Sequence, residues 1–221
     1  GLIRLSHHIF SLVNAKQENI ISGAVKTLLA EYGTLLIAWF IYRSWLVAGG
    51  DIEFVRESLV VWLKKHKSVP EASYIYKSWI DAGGDIDFVR DYIEVWLEKH
   101  KTLIEAQFVY KPWLDAGGDI EFVRDSIEVW LNKHKTLPEA RFVYKSWLDA
   151  VGDIEFVREC LEAWLIRHKT LPEAQFVYKS WLDAGGNIEF VRESIGVWLE
   201  KHKTLPEARF VYQPWLDAGG D

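Results

Sequence analysis

Apolar residues near the middle of the chain recur at helical spacing in two runs separated by a short polar break. Ala140, Val143, Tyr144, Trp147 and Leu148 fall at i, i+3, i+4, i+7 and i+8, with Phe142 beside them widening the buried arc. Beyond Gly152-Asp153 the stripe resumes as Ile154, Val157, Leu161, Trp164 and Leu165, flanked by Phe156 and Ala163. The pattern predicts two amphipathic helices: helix A from Leu137 to about Ala150 and helix B to about Arg167. Each apolar arc is wide enough to touch both its hairpin partner and the next hairpin along.

This phrase, Thr136 to Lys169, recurs with a 34-residue period at Ser68, Thr102, Thr170 and Thr204, and more weakly at Thr34. A junction acid or amide keeps the same lattice through Asp51, Asp85, Asp119, Asp153, Asn187 and Asp221. Self-similarity at this period marks a tandem array. The predicted fold is all-α, an α-solenoid of about six stacked antiparallel hairpins. Its parts are a divergent capping hairpin at 1–33, repeats at 34–67, 68–101, 102–135, 136–169 and 170–203, and a half repeat at 204–221. In the cap, Ile20, Ile21, Val25, Leu28 and Leu29 keep the apolar lattice, whereas Asn14 to Gln17 replace the glycine junction. His7 and His8 lie there with no residues to form a ligand set and receive no role.

End signals sharpen the helices. Thr136-Leu137-Pro138-Glu139 fits a capping box, as do Thr170 to Glu173, Thr204 to Glu207 and, with Ile104 for Pro, Thr102 to Glu105. Asp153 is the expected N-cap of helix B, and Asn187 supplies the same side-chain oxygen. Of the two junction glycines, the first is replaced by Val151 in one copy. This places the left-handed residue at the second: Gly50, Gly84, Gly118, Gly152, Gly186 and Gly220. Pro112 and Pro214 stand in mid helix A where other copies carry Ser44, Ser78, Ser146 and Ser180, which predicts a bend there.

The unit length, the helix-turn-helix pattern and the bend Gly152-Asp153 followed by Val157 resemble the tetratricopeptide-repeat class. That family's Trp-x-x-Leu-Gly-x-x-Tyr phrase is missing, and Trp164 and its equivalents replace its small second-helix residues. The resemblance therefore implies architecture alone: a right-handed superhelix whose concave surface binds peptides or proteins.

Composition narrows the function. With 49% hydrophobic residues and 12 Trp, 11 Phe and 9 Tyr, the chain has ample surface to bury and is not a disordered segment. Its net charge of −6 comes with interspersed signs and no basic block, so a nucleic-acid partner is not expected. The longest apolar run, Leu35 to Ile41, is far below the ~20 residues of a membrane span, and no secretory signal pattern opens the chain. The cytoplasm is the default location. The absence of methionine and a stop at a repeat junction suggest a piece of a longer protein. The single cysteine, Cys160, excludes an internal disulfide and takes the place of Ser58, Tyr92, Ser126 and Ser194, which reads as a neutral replacement.

Candidate chemistry recurs with the lattice and so argues against itself. His66, His100, His134, His168 and His202 are separated by about 10 Å at ordinary helix packing, too far to share one metal ion, and suit the negative end of helix B's dipole. Acid pairs such as Glu155 with Glu159, or Glu121 with Asp125, repeat on a polar face beside an Arg158–Glu162 pair, as a solvated surface does. The ladders Trp45 to Trp215 and Trp62 to Trp198 read as core. No copy gathers unlike groups for catalysis, so the expectation is a non-enzyme without cofactor or metal.

Near-identical copies differ at two positions. One, on helix A, holds Trp39, Ser73, Gln107, Arg141, Gln175 and Arg209; the other, on helix B, holds Lys64, Glu98, Asn132, Ile166 and Glu200. Such tolerance predicts surface. One turn on, Arg43, Lys77, Lys111, Lys145, Lys179 and Gln213 would make helix A's open face mildly basic. The expected function is recognition of a protein or peptide across this face. Arrays in this style resemble sensor regions attached to signalling or defence NTPases. The alternative is a structural module that self-associates end to end through its last, unpaired helix A.

Overall fold

The computed structural model describes residues 18–220, and every regular element among them is helical. The expectations for His7, His8 and Asn14 to Gln17 fall outside that range, as do Asp221 and the side chains of Ile20 and Ile21. The helices are α1 (Glu18–Tyr32), α2 (Trp39–Val47), α3 (Ile52–His66), α4 (Ala72–Asp81), α5 (Ile86–His100), α6 (Gln107–Asp115), α7 (Ile120–His134), α8 (Ala140–Ala150), α9 (Ile154–His168), α10 (Ala174–Asp183), α11 (Ile188–His202) and α12 (Arg209–Asp217). Helix A of each repeat is thus α2, α4, α6, α8, α10 or α12, and helix B is α3, α5, α7, α9 or α11. No helix among the described residues is long and apolar enough to cross a membrane.

The chain divides into two compact units, the first ending at Gly118 and the second beginning at Asp119. In the first, α4 packs between α2 and α6; in the second, α10 packs between α8 and α12. Helix A therefore stacks on helix A, and helix B lines the other side of each hairpin, which is the layering of an α-solenoid. The predicted stripes are the core: Val143, Tyr144, Trp147, Val157, Leu161 and Trp164 are all fully buried.

Both tryptophan ladders are buried as predicted, and eight of their indoles also commit the N–H. On helix A, Trp45, Trp79, Trp147 and Trp181 donate from Nε1 to the carbonyls of Asp51, Asp85, Asp153 and Asn187 at 2.7, 2.8, 2.9 and 3.1 Å. On helix B, Trp62, Trp96, Trp164 and Trp198 donate to Leu35, Val69, Leu137 and Leu171 at 2.9, 2.8, 2.9 and 2.7 Å. One ladder closes the junction between helices, and the other ties helix B to the segment that opens its own repeat.

That opening segment corrects the capping-box expectation. Helix A starts at Ala140, not Leu137, and its N-cap Glu139 makes no side-chain bond. The Thr136–Glu139 stretch is instead a landing strip. Leu137 N bonds back to His134 O at 2.9 Å, while the carbonyls of Thr136 and Leu137 receive His168 Nε2 at 2.7 Å and Trp164 Nε1 at 2.9 Å. Pro138 fits because it has no N–H to leave unpaired. The N-cap of helix B is as predicted: Asp51, Asp85 and Asn187 accept from Glu53, Asp87 and Glu189 N at 3.0, 3.0 and 2.8 Å.

The glycine assignment is reversed in five of six junctions. Positive φ belongs to the first glycine, Gly49, Gly83, Gly117, Gly185 and Gly219, and to the second only at Gly152. In the common junction Gly50 N bonds to Trp45 O and Gly49 N to Leu46 O, each at 3.0 Å, which is a Schellman motif. In the Val151 copy, helix A gains a turn residue. Val151 stays at φ −112°, and Gly152 N bonds to Leu148 O at 3.1 Å, the single-bond left-handed cap. Pro112 and Pro214 both lie inside continuous helices.

Three arginines of helix B pair backwards, not forwards to the residue four on as expected at Arg158. Arg56, Arg158 and Arg192 contact Glu53, Glu155 and Glu189 at 3.1, 3.3 and 2.9 Å. Guanidinium carbons of helix B also lie over aromatic rings of the following repeat. Arg56 is 4.9 Å from the Phe88 centroid, Arg124 is 4.6 Å from Phe156, and Arg158 is 5.6 Å from Phe190.

Helices α4, α6, α8 and α10 each send a tyrosine to the end of the helix B before them. Tyr76, Tyr110, Tyr144 and Tyr178 donate to the carbonyls of Lys67, Lys101, Lys135 and Lys169 at 2.8, 3.0, 3.2 and 2.9 Å. Burial pushes all four phenols well above their ordinary pKa. A raised folded-state pKa means stability that is intact below the unfolded value of about 10 and drains away above it. We expect the melting temperature to fall as pH rises past about 10, with these tyrosines ionising together with loss of the helical circular-dichroism signal. Simple titration near 10 in a chain that stays helical would show that the phenols are not buried.

Candidate recognition surface

Residues 34 apart on successive helices A occupy equivalent places, so a repeated side chain becomes a stripe. The structure forms such a stripe one residue beyond the variable helix A position. In the first unit Trp39 stacks on Phe40 with ring centroids 3.7 Å apart and on Tyr74 at 5.3 Å, and Tyr74 meets Phe108 at 5.4 Å. In the second unit the equivalents are Phe142, Phe176 and Phe210, exposed by 37%, 45% and 43%. Phe142 is therefore not part of the buried arc, as its place beside the stripe had suggested. Its offset from the i, i+3, i+4 series is the signal that marks it as a border residue.

The variable helix A residues do not form a uniformly exposed set. Ser73, Gln107 and Gln175 are buried against neighbouring helices, while Trp39 and Arg141 are half-buried and Arg209 is exposed. Small or unbranched residues fold into the groove between helices A, whereas the longer ones extend over the adjacent ring. Ser73 Oγ donates to Pro70 O at 2.8 Å. Arg141 lies 4.3 Å over Phe142 and donates to Pro138 O at 3.0 Å; Arg209 lies 4.8 Å over Phe210. Gln175, between them in the lattice, has a buried amide oxygen without a hydrogen-bond partner. The helix B set is exposed as predicted, with Ile166 at 74%.

The stripe of Lys77, Lys111, Lys145 and Lys179 is not a basic face. Each ammonium pairs with the aspartate one turn on: Asp81, Asp115, Asp149 and Asp183. Gln213 donates to Asp217 at 2.7 Å in the same way, while Arg43 has Val47 at that place. The field of these pairs is short-ranged, leaving Arg141 and Arg209 as the cations that flank the aromatic stripe of the second unit.

The histidines serve the fold. His66, His100, His168 and His202 place Nε2 at 2.9, 2.7, 2.7 and 2.9 Å from the carbonyls of Thr34, Ser68, Thr136 and Thr170, so this nitrogen carries the hydrogen. Each ring also rests on the tryptophan one turn earlier, at 5.1, 5.0, 5.1 and 4.9 Å. Their position at the end of helix B was legible, but the carbonyl 32 residues earlier that fixes them was not.

One further concavity lies between α7 and α9, about 400 Å³, lined among others by Glu128, Glu155, Glu159, Glu162, Arg158 and Cys160. Its carboxylates are exposed to water. Burial pushes the Cys160 thiol up, and its Sγ faces Asn132 Oδ1 at 3.9 Å. A thiol held protonated, with solvated acids around it, is a poor nucleophile.

Compared with protein-family models, with curated proteins and with solved structures, the chain matches none.

Proposed function

We propose that this chain is a recognition module of a cytoplasmic protein that binds an extended segment of another protein across the open face of its helices A, in the manner of tetratricopeptide-like arrays. The observation that carries this reading is the row of partly exposed rings on one line of a helical scaffold, Phe142, Phe176 and Phe210 at 37%, 45% and 43%. Partly exposed rings on rigid helices bury further area at little entropic cost. Covering what remains exposed removes roughly 250 Å² from water, worth about 6 kcal/mol before the cost of association. Taken alone that magnitude corresponds to no tighter than tens of micromolar, and the cost of association weakens it further, so polar contacts have to add to it. Arg141 and Arg209 favour a segment with carboxylates flanking apolar or proline residues.

The test is peptide display against the whole chain, counter-selected with the variant Phe142→Ser, Phe176→Ser, Phe210→Ser. These rings are exposed enough for the variant to keep its helical spectrum. Enriched acidic and apolar peptides that lose about tenfold or more in affinity for the variant, and about half of that for Arg141→Glu, would support the reading. Peptides that bind both proteins equally would place recognition elsewhere.

A further inference from the structure

Gln175 stands next to Phe176 on α10, the helix that packs against α8 and its Phe142. The residue is only 7% exposed, and its amide oxygen is buried without a hydrogen-bond partner, alone in this among the described residues. A buried acceptor left unpaired gives up its hydration and receives nothing in exchange.

The groove between helices A does not require this side chain. Ser73, at the same place in the first unit, is fully buried and returns its hydroxyl to Pro70 O at 2.8 Å. Arg141 and Arg209, at the same place on α8 and α12, leave the groove and put their guanidinium carbons 4.3 and 4.8 Å over Phe142 and Phe210. The position therefore opens onto the aromatic stripe, and a long side chain there can lie along it. For Gln175 that movement breaks no hydrogen bond of the amide oxygen, since the oxygen makes none.

On the stripe the oxygen needs an N–H or O–H donor. An extended segment laid across the helices carries one at every residue except proline, because its main chain is not paired within itself. Cationic donors suit the place poorly, since Arg141 and Arg209 already flank the same line of rings.

We infer that Gln175 swings onto the stripe when a segment binds and accepts a hydrogen bond from one of its main-chain N–H groups. This rests on the recognition surface proposed above and supplies the kind of polar contact that the rings lack. Since every residue except proline offers the same N–H, the contact sets the register of the segment and excludes proline at one place, without choosing the side chain there.

The experiment takes peptides from the display selection that need the three phenylalanines and measures their affinity for the whole chain by anisotropy, with one main-chain N–H at a time removed by N-methylation. One position is expected to lose about three- to tenfold, the scale of a single hydrogen bond. Gln175→Leu keeps the bulk and cannot accept. With it the unmodified peptide should lose as much, and methylation at that position should cost nothing further. The free chain should move the other way, with the urea midpoint of Gln175→Leu raised by about 0.5 M because a buried unpaired acceptor is gone. Gln175→Ser, which copies Ser73, is the second variant and should show the same loss of binding. If no peptide depends on the phenylalanines, the recognition surface itself fails and takes this inference with it. Peptides that depend on them but bind both Gln175 variants unchanged overturn the inference alone, as does N-methylation whose cost is the same in the variants at every position. A lowered urea midpoint for Gln175→Leu also overturns it, by showing that the amide is already bonded in the free chain.

Discussion

Replacing Trp96 with alanine is expected to cost about 3–5 kcal/mol of unfolding free energy, the range for deleting a fully buried large aromatic. The indole is shielded entirely from water, donates to Val69 O at 2.8 Å and supports the His100 ring at 5.0 Å. Removing it opens a cavity bounded by rigid helices α4 and α5, which have little room to collapse. The damage should not stay local, because each repeat is stabilised by the interfaces it makes with its neighbours. Trp96→Phe is the informative companion. It keeps most of the packing, and Val69 O is not orphaned, since it still accepts Ala72 N at 3.1 Å. A cost of about 1–2 kcal/mol is expected for it, mostly from the lost indole bond and a smaller void. Urea denaturation followed at the helical signal reads both. A cost below about 1 kcal/mol for Trp96→Ala would mean that helix B's tryptophans are not core.

The hairpin architecture was legible because two independent periodicities agree: the 3.6-residue stripe within each helix and the 34-residue lattice between them. Val143, Tyr144, Trp147, Val157, Leu161 and Trp164 are buried for that reason. What was not legible depends on contacts between distant residues. Thr136-Leu137-Pro138-Glu139 has the residue types of a capping box, yet its carbonyls are claimed by Trp164 and His168, more than twenty residues on. A local motif yielded to a tertiary one. Variability at Ser73, Gln107 and Gln175 suggested surface, but a helix–helix groove also tolerates varied side chains when each can fold flat or reach out. The lysine stripe looked basic because the aspartate four residues on was not counted with it, although each pair is visible in the sequence.

The candidate surface was half visible for the same reason. Arg141 and Arg209 were picked out by variation, but the rings they lie on, Phe142 and Phe210, do not vary in character and so gave no such signal. Arg124 shows how a tertiary contact can also adjust a local cap. Its guanidinium pairs at 3.0 Å with Asp153, the N-cap that in this one copy bonds Phe156 N at 3.3 Å instead of the residue two ahead. The altered junction at Val151 and the altered cap at Asp153 are thus one linked change.

Gly84→Ala is expected to cost more than Gly83→Ala, even though only Gly83 has positive φ, at 81°. A methyl on Gly83 would meet nothing within 4 Å, so its cost is the left-handed conformation alone, about 1–2 kcal/mol. A methyl on Gly84 would lie 2.5 Å from both Cε2 and Nε1 of Trp79. That indole is fully buried and held by its bond to Asp85 O at 2.8 Å, so it can retreat only by breaking the junction that joins α4 to α5. Overpacking of this kind should reach about 3 kcal/mol. In five junctions the second glycine is held by the tryptophan that covers it, whereas Gly152 is held by its left-handed conformation, the turn being re-formed around it where the first glycine is Val151. Gly152→Ala serves as the internal control: its φ is 69° and no atom lies within 4 Å of the added methyl, so it should behave like Gly83→Ala. If thermal and urea melts instead rank Gly83→Ala as the most damaging of the three, backbone conformation and not indole contact governs the junction.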